Sequence, residues 1–189
     1  MPVNLTLGNT DNTLTITYFD SLTTGTGTDT VTVTDALTGA IINLGAGTDS
    51  LTLGDFGNSA TISNTEAITG GLLADTITLA TTLTGVTLDL GGGGDTLTLA
   101  NVANTGSVSN VETISGGTAA DDVTLLTAIA SGVISLGAGT DALTFANGTN
   151  SATLTGIESI SGGTGADTVT LASALSNTMT IDLDAAPTA

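Results

Sequence analysis

Seven aspartates stand at regular places along the chain: Asp29, Asp49, Asp75, Asp95, Asp121, Asp141 and Asp167, alternately 20 and 26 residues apart. Each closes a segment of glycine and other small residues, such as Leu44-Gly-Ala-Gly-Thr-Asp49 or Leu90-Gly-Gly-Gly-Gly-Asp95. Carboxylates beside the free carbonyls of a glycine turn are hard oxygen donors, the ligand type that Ca²⁺ prefers. The chain offers no cation of its own: 18 acidic residues face no Lys, Arg or His, for a formal net charge of −18. Two like charges at 4 Å repel by about 1 kcal/mol even in bulk water. A stacked column of these aspartates therefore calls for counter-ions from outside, and Ca²⁺ is the expected one. The other reading is that each Asp accepts hydrogen bonds within its own turn, as Asp commonly does.

A second acidic series, Asp20, Glu66, Glu112 and Glu158, recurs every 46 residues. Paired carboxylates can hydrolyse glycosides. Here no basic side chain is present to orient or stabilise charge, and four equivalent copies suit a structural device better than one active site. The expectation is that the chain is not an enzyme. A third series is Thr6, Thr32, Thr52, Thr78, Thr98, Thr124, Thr144 and Thr170. A flat threonine array resembles the ice-binding face of solenoid antifreeze proteins, although Thr is also an ordinary outward strand residue.

Composition removes several partners. Without Lys or Arg there is nothing to grip phosphates, so nucleic acid and anionic lipid surfaces are excluded. No Cys is present for disulfides or thiolate metal sites. No apolar stretch approaches the roughly 20 residues of a membrane-spanning helix. The start, MPVNLTLGNT, lacks the charged and apolar regions of a secretory signal.

The elements that must position these series follow from the repeat. Leu44, Leu90 and Leu136 open near-identical segments 46 residues apart, and the acidic series keep the same period. Four units result, approximately 1–43, 44–89, 90–135 and 136–182, with a tail at 183–189, all in one domain over 1–189. Within each unit, strict alternation marks half-buried strands: Asp49-Ser-Leu-Thr-Leu and Asp75-Thr-Ile-Thr-Leu, each followed by a second short strand such as Ala60-Thr-Ile. Leu51, Ile77, Leu97, Val123 and their equivalents are expected to point inward and stack in columns. The fixed period, β-branched residues and glycine punctuation predict an all-β parallel β-solenoid rather than a sandwich or barrel. Two coils per unit, of 26 and 20 residues, give about eight coils, with the three polar series facing outward.

Gly162-Gly163-Thr164-Gly165-Ala166-Asp167-Thr168-Val169-Thr170 fits the nonapeptide GGxGxDxUx, and by it the chain resembles the RTX (haemolysin-type calcium-binding) secreted proteins and the related bacterial β-strand repeat proteins of S-layers, adhesins and extracellular matrix. The resemblance implies Ca²⁺ held between coils by turn carbonyls, such as those of Gly162, Gly163 and Gly165, and by the seven Asp carboxylates. It also implies an extracellular or cell-surface location. Other copies depart from the motif: GGLLAD (70–75) and GGTAAD (116–121) lack its third glycine.

Neither end carries a cap. Pro2-Val3 aligns with Thr48-Asp49, and Pro187-Thr188-Ala189 aligns with Thr140-Asp141-Ala142. The expected function is therefore an extracellular, Ca²⁺-stabilised structural protein assembling head to tail with itself into a filament, surface layer or biofilm matrix. The alternative is a Ca²⁺-dependent spacer or ice-binding region of a larger secreted adhesin, with an ice or glycan surface as partner.

Overall fold

The computed structural model describes residues 1–174 and 177–183; the tail position of Pro187 lies outside them. Twenty strands and no helix are found among the described residues. In chain order they are β1 (Asn4–Thr6), β2 (Thr13–Ile16), β3 (Ser21–Thr23), β4 (Thr30–Val33), β5 (Thr38–Asn43), β6 (Ser50–Thr52), β7 (Ser59–Ser63), β8 (Ala67–Thr69), β9 (Thr76–Leu79) and β10 (Thr87–Asp89). Then come β11 (Thr96–Thr98), β12 (Asn104–Ser109), β13 (Thr113–Gly117), β14 (Asp121–Leu125), β15 (Gly132–Gly137), β16 (Ala142–Thr144), β17 (Ser151–Thr155), β18 (Ser159–Ser161), β19 (Thr168–Leu171) and β20 (Thr180–Asp182).

The odd-numbered strands form one ten-stranded sheet and the even-numbered strands a second, each in strict chain order. Every pairing is parallel, so each coil lays one strand on each sheet before climbing to the next. This is the parallel β-solenoid expected from the alternation, with about nine turns between its ends. Inward residues of both sheets meet in one continuous aliphatic core. One row runs Ala60, Ile77, Leu97, Ile114, Ile134 and Leu154 up the first sheet. Its counterpart runs Val31, Leu51, Ile68, Leu88 and Val108 up the second. These side chains are at most 4% exposed, so a hydrophobic contribution of about 1.5–3 kcal/mol from each Val, Leu and Ile among them replaces the large aromatic anchors that the chain lacks.

The coils are shorter than expected. Partners in adjacent coils are 17 residues apart at Leu5↔Leu22, 20 at Leu22↔Ile42 and 21 at Ile160↔Ile181, in place of 20 and 26. The difference comes from a strand that the alternation does not reveal. Leu22, Ile68, Ile114 and Ile160 are each the inward residue of a further strand, β3, β8, β13 and β18, and all are buried. The unit thus holds five strands, as from β6 to β11 to β16, and five strands on two sheets make two and a half coils. Successive units consequently start on opposite sheets: Leu51 lies in β6, Leu97 in β11 and Leu143 in β16. The columns expected from the repeat are each divided between the two sheets.

The turns are tight enough to require glycine. Gly91 has φ of 83°, and a Cβ there would sit 2.1 Å from the Gly71 carbonyl oxygen of the coil before. Gly45 and Gly137 repeat this approach, to Gly25 and Gly117.

Candidate functional site

The half-coil offset divides the seven aspartates. Asp29, Asp49, Asp121 and Asp141 precede or open β4, β6, β14 and β16 at one edge of the second sheet, whereas Asp75, Asp95 and Asp167 precede β9, β11 and β19 of the first. The expected single line of seven is therefore replaced by short ladders on two edges. The aspartates do not face outward either. Asp29 and Asp95 are 0% exposed and Asp49, Asp75, Asp121 and Asp141 1% exposed, because the next coil covers each turn; Asp167 is half-buried.

Each ladder has four rungs drawn from consecutive coils. Asp75 Oδ1 accepts from the Asn58 backbone N–H at 2.8 Å and from Asn58 Nδ2 at 3.0 Å. Asp95 Oδ1 accepts from Asp75 N–H at 2.7 Å, and Glu112 Oε2 accepts from Asp95 N–H at 2.8 Å. Asn12, Asp29, Asp49 and Glu66 repeat the ladder one unit earlier, with 2.8 Å to Asp29, 2.8 Å to Asp49 and 2.7 Å to Glu66. Asn104, Asp121, Asp141 and Glu158 repeat it one unit later, and Asn150 with Asp167 begins another. At the first turn Val3 N–H donates to Asp20. The second acidic series is thus the end rung of each ladder, half-buried and bonded to backbone.

Asn12, Asn58, Asn104 and Asn150 are functional members that the sequence reading passed over. Each side-chain amide of the last three also donates to two carbonyls of its own loop, as Asn58 Nδ2 does to Phe56 O at 2.8 Å and Gly54 O at 3.1 Å. Their signal was present: the four recur every 46 residues, each 17 residues before an Asp.

A backbone N–H bonded to a carboxylate is a charge-assisted bond and favours the ionised form; burial opposes it. At Asp95 burial wins and, with the nearby charges of Glu112, Asp75 and Asp89, pushes the carboxyl up to about 6 against the bond from Asp75 N–H. Asp49 and Asp141 are raised for the same first reason, burial, with added repulsion from Glu66 and Asp29 or from Asp121 and Glu158. Asp29 also feels burial, but hydrogen bonds, those of Asn12 among them, outweigh it and hold the carboxyl below its usual value. Asp20 is lowered by the Val3 N–H and then by the Tyr18 hydroxyl.

The second carboxylate oxygen behaves differently. Oδ2 of Asp29, Asp49, Asp95, Asp141 and Asp167 is buried and makes no hydrogen bond, while Oδ2 of Asp75 lies 3.4 Å from its own turn's Gly71 N–H. Each of these five Asp offers one free oxygen, and Ca²⁺ takes six to eight ligands. Among the described residues no three acidic side chains converge. Turn carbonyls already accept from the next coil, as Gly71 O does from Gly92 N–H at 2.9 Å. The Oδ1 bonds come from the preceding coil rather than from each Asp's own turn, where the contacts are the longer ones of Gly71 N–H to Asp75 at 3.4 Å and Gly117 N–H to Asp121 at 3.5 Å.

The threonines are also divided. Thr32 pairs with Thr52, Thr78 with Thr98, and Thr124 with Thr144, on alternate sheets, with side chains on the outer faces. Comparison with family models, curated proteins and solved structures finds no match.

Proposed function

We propose that this chain is an extracellular structural solenoid, without catalytic activity, that lengthens end to end into a filament, surface layer or matrix fibre. The observation that carries the reading is the state of the end coils. Among the described residues, β1 and β2 pair on one side only, and so do β19 and β20. Leu5, Leu7, Leu14 and Ile16 at one end, and Val169, Leu171, Met179 and Leu183 at the other, remain half-buried. Leu97, the repeat equivalent of Leu5, is 0% exposed within the stack. A further coil on each end would complete these rows and pair the free strand edges.

Cations are the second part of the proposal. With a net charge of −18 and no base, neutralisation must come from solution, and the unbonded Asp Oδ2 atoms are where a cation such as Ca²⁺ would be received. The same open coils suit a spacer within a longer adhesin, where coils of the same polypeptide would cover them. Sedimentation of the purified chain in Ca²⁺ and in EDTA tests the assembly reading. Large linear species in Ca²⁺ are expected, and monomer throughout would remove it.

A further inference from the structure

The chain distributes its charge unevenly over its two broad faces. No strand of the first sheet, β1 through β19, contains an acidic residue, whereas the second sheet carries Asp89, Asp122 and Asp182 on its outer side. The outer face of the first sheet instead presents two aligned rows of hydroxyls. One includes Ser59, Thr76, Thr96, Thr113 and Thr153, and the other Thr61, Thr78, Thr98, Ser115, Ser135 and Thr155. The other acidic side chains among the described residues lie at the edges or in the turns.

Two large aliphatic residues interrupt those rows. Ile41 is 59% exposed on β5 and Val133 is 53% exposed on β15. In the sheet order β5 is the third strand from one end and β15 the third from the other. A two-fold axis through the middle of the sheet, along the strands, would therefore bring the Ile41 strand of one copy opposite the Val133 strand of another, twice over.

We propose that this uncharged face binds the same face of a second copy of the chain, giving an isologous lateral pair. Charge selects the face. Copies meeting edge to edge, or through the second sheet, would bring carboxylates of like sign together with no base to relieve them, and only the first sheet avoids this. Ten strands about 4.8 Å apart and two outward rows wide give a patch of roughly 600 Å² per partner. The total of about 1,200 Å² is at the lower limit for a specific interface. Pairing is accordingly weak at low salt and strengthened when salt screens the edges. This goes beyond the end-to-end reading and does not depend on it.

The test is sedimentation velocity of the full chain in a Leu5→Asp background, which blocks joining through the ends. A two-subunit species that grows with protein concentration and salt is expected. The double variant Ile41→Glu and Val133→Glu should lose that species, while Thr32→Glu, on the opposite sheet, should keep it; circular dichroism confirms that all remain folded. A monomer at high concentration and high salt would overturn the pairing and leave end-to-end growth untouched. So would a pair that survives the double variant. A monomeric Leu5→Asp chain that shows thermal hysteresis, abolished by the double variant, would overturn it by assigning the face to ice. If lateral pairs form but the wild-type chain never lengthens, the end-to-end reading fails and this one stands.

Discussion

Asp75 and Asp95 are both buried carboxylates in adjacent coils, and the backbone N–H of the first donates to Oδ1 of the second at 2.7 Å. Like charges are thus brought near each other in the interior of a chain with no base. The geometry is tolerable because each carboxylate satisfies a backbone donor that the turn would otherwise leave buried and unbonded. Leaving such a donor without a partner costs about 1–3 kcal/mol. The acid is used as a fixed acceptor, and its charge is the cost of that choice.

Replacing Asp95 by Ala should destabilise the chain by about 1–3 kcal/mol, since the Asp75 N–H loses its partner. Asp95→Asn keeps an acceptor oxygen in place and removes the charge, so it should be neutral or stabilising at neutral pH. Urea denaturation of the two variants checks the order.

Acidity should strengthen the fold. For Asp95 the folded value is raised to about 6 against an ordinary value of 3.8, so the folded chain holds the proton more tightly. Stability from this group is fully present below about pH 3.9 and is lost as pH rises through about 6. Asp49 and Asp141 are raised and act in the same sense. Melting temperature should therefore rise as pH falls from about 7.5 to about 5.5. Asp95→Asn should flatten that dependence; an unchanged slope would assign it to general charge repulsion instead.

Much of the fold was legible because burial imposes a two-residue alternation, and the 46-residue period repeats it with identical turn chemistry. What escaped was the parity of the unit. Strands such as Ala67–Thr69 offer one inward residue, Ile68, between Glu66 and the Gly70-Gly71 turn, too short a run for alternation to register. Missing that strand turned two and a half coils into two and merged both edges into one. The aspartates were misplaced for a related reason. Asp after glycine ordinarily marks an exposed turn, and only stacking of the next coil at 17 or 20 residues buries it. Asn58 shows the same limit: its meaning depends on lying one short coil below Asp75.

The turn glycines should be unequal. Gly91→Ala forces a Cβ to 2.1 Å from Gly71 O at φ of 83° and should cost about 1–3 kcal/mol. Gly94, with no heavy atom within 4 Å of a built Cβ, should accept Ala within about 0.5 kcal/mol. Thermal melts of the two variants compare them directly.

Calcium should raise the melting temperature by binding the folded chain, and EDTA should lower it. Magnesium, which resists dehydration, should act more weakly if protein oxygens contact the ion. Equal melting in all three at fixed ionic strength would show that the carboxylates need only general screening.

The structural account is tested most directly by electron microscopy of the wild-type chain in Ca²⁺ and high salt. Each subunit adds ten strands to each sheet, and at about 4.8 Å per strand this predicts fibres with an axial repeat near 48 Å per subunit. Ile16→Asp, in an end coil, should prevent them while the central coils stay folded. Fibres of that repeat, lost in the variant, are the predicted result; a wild-type chain that forms none in Ca²⁺, in salt or at high concentration would contradict the account.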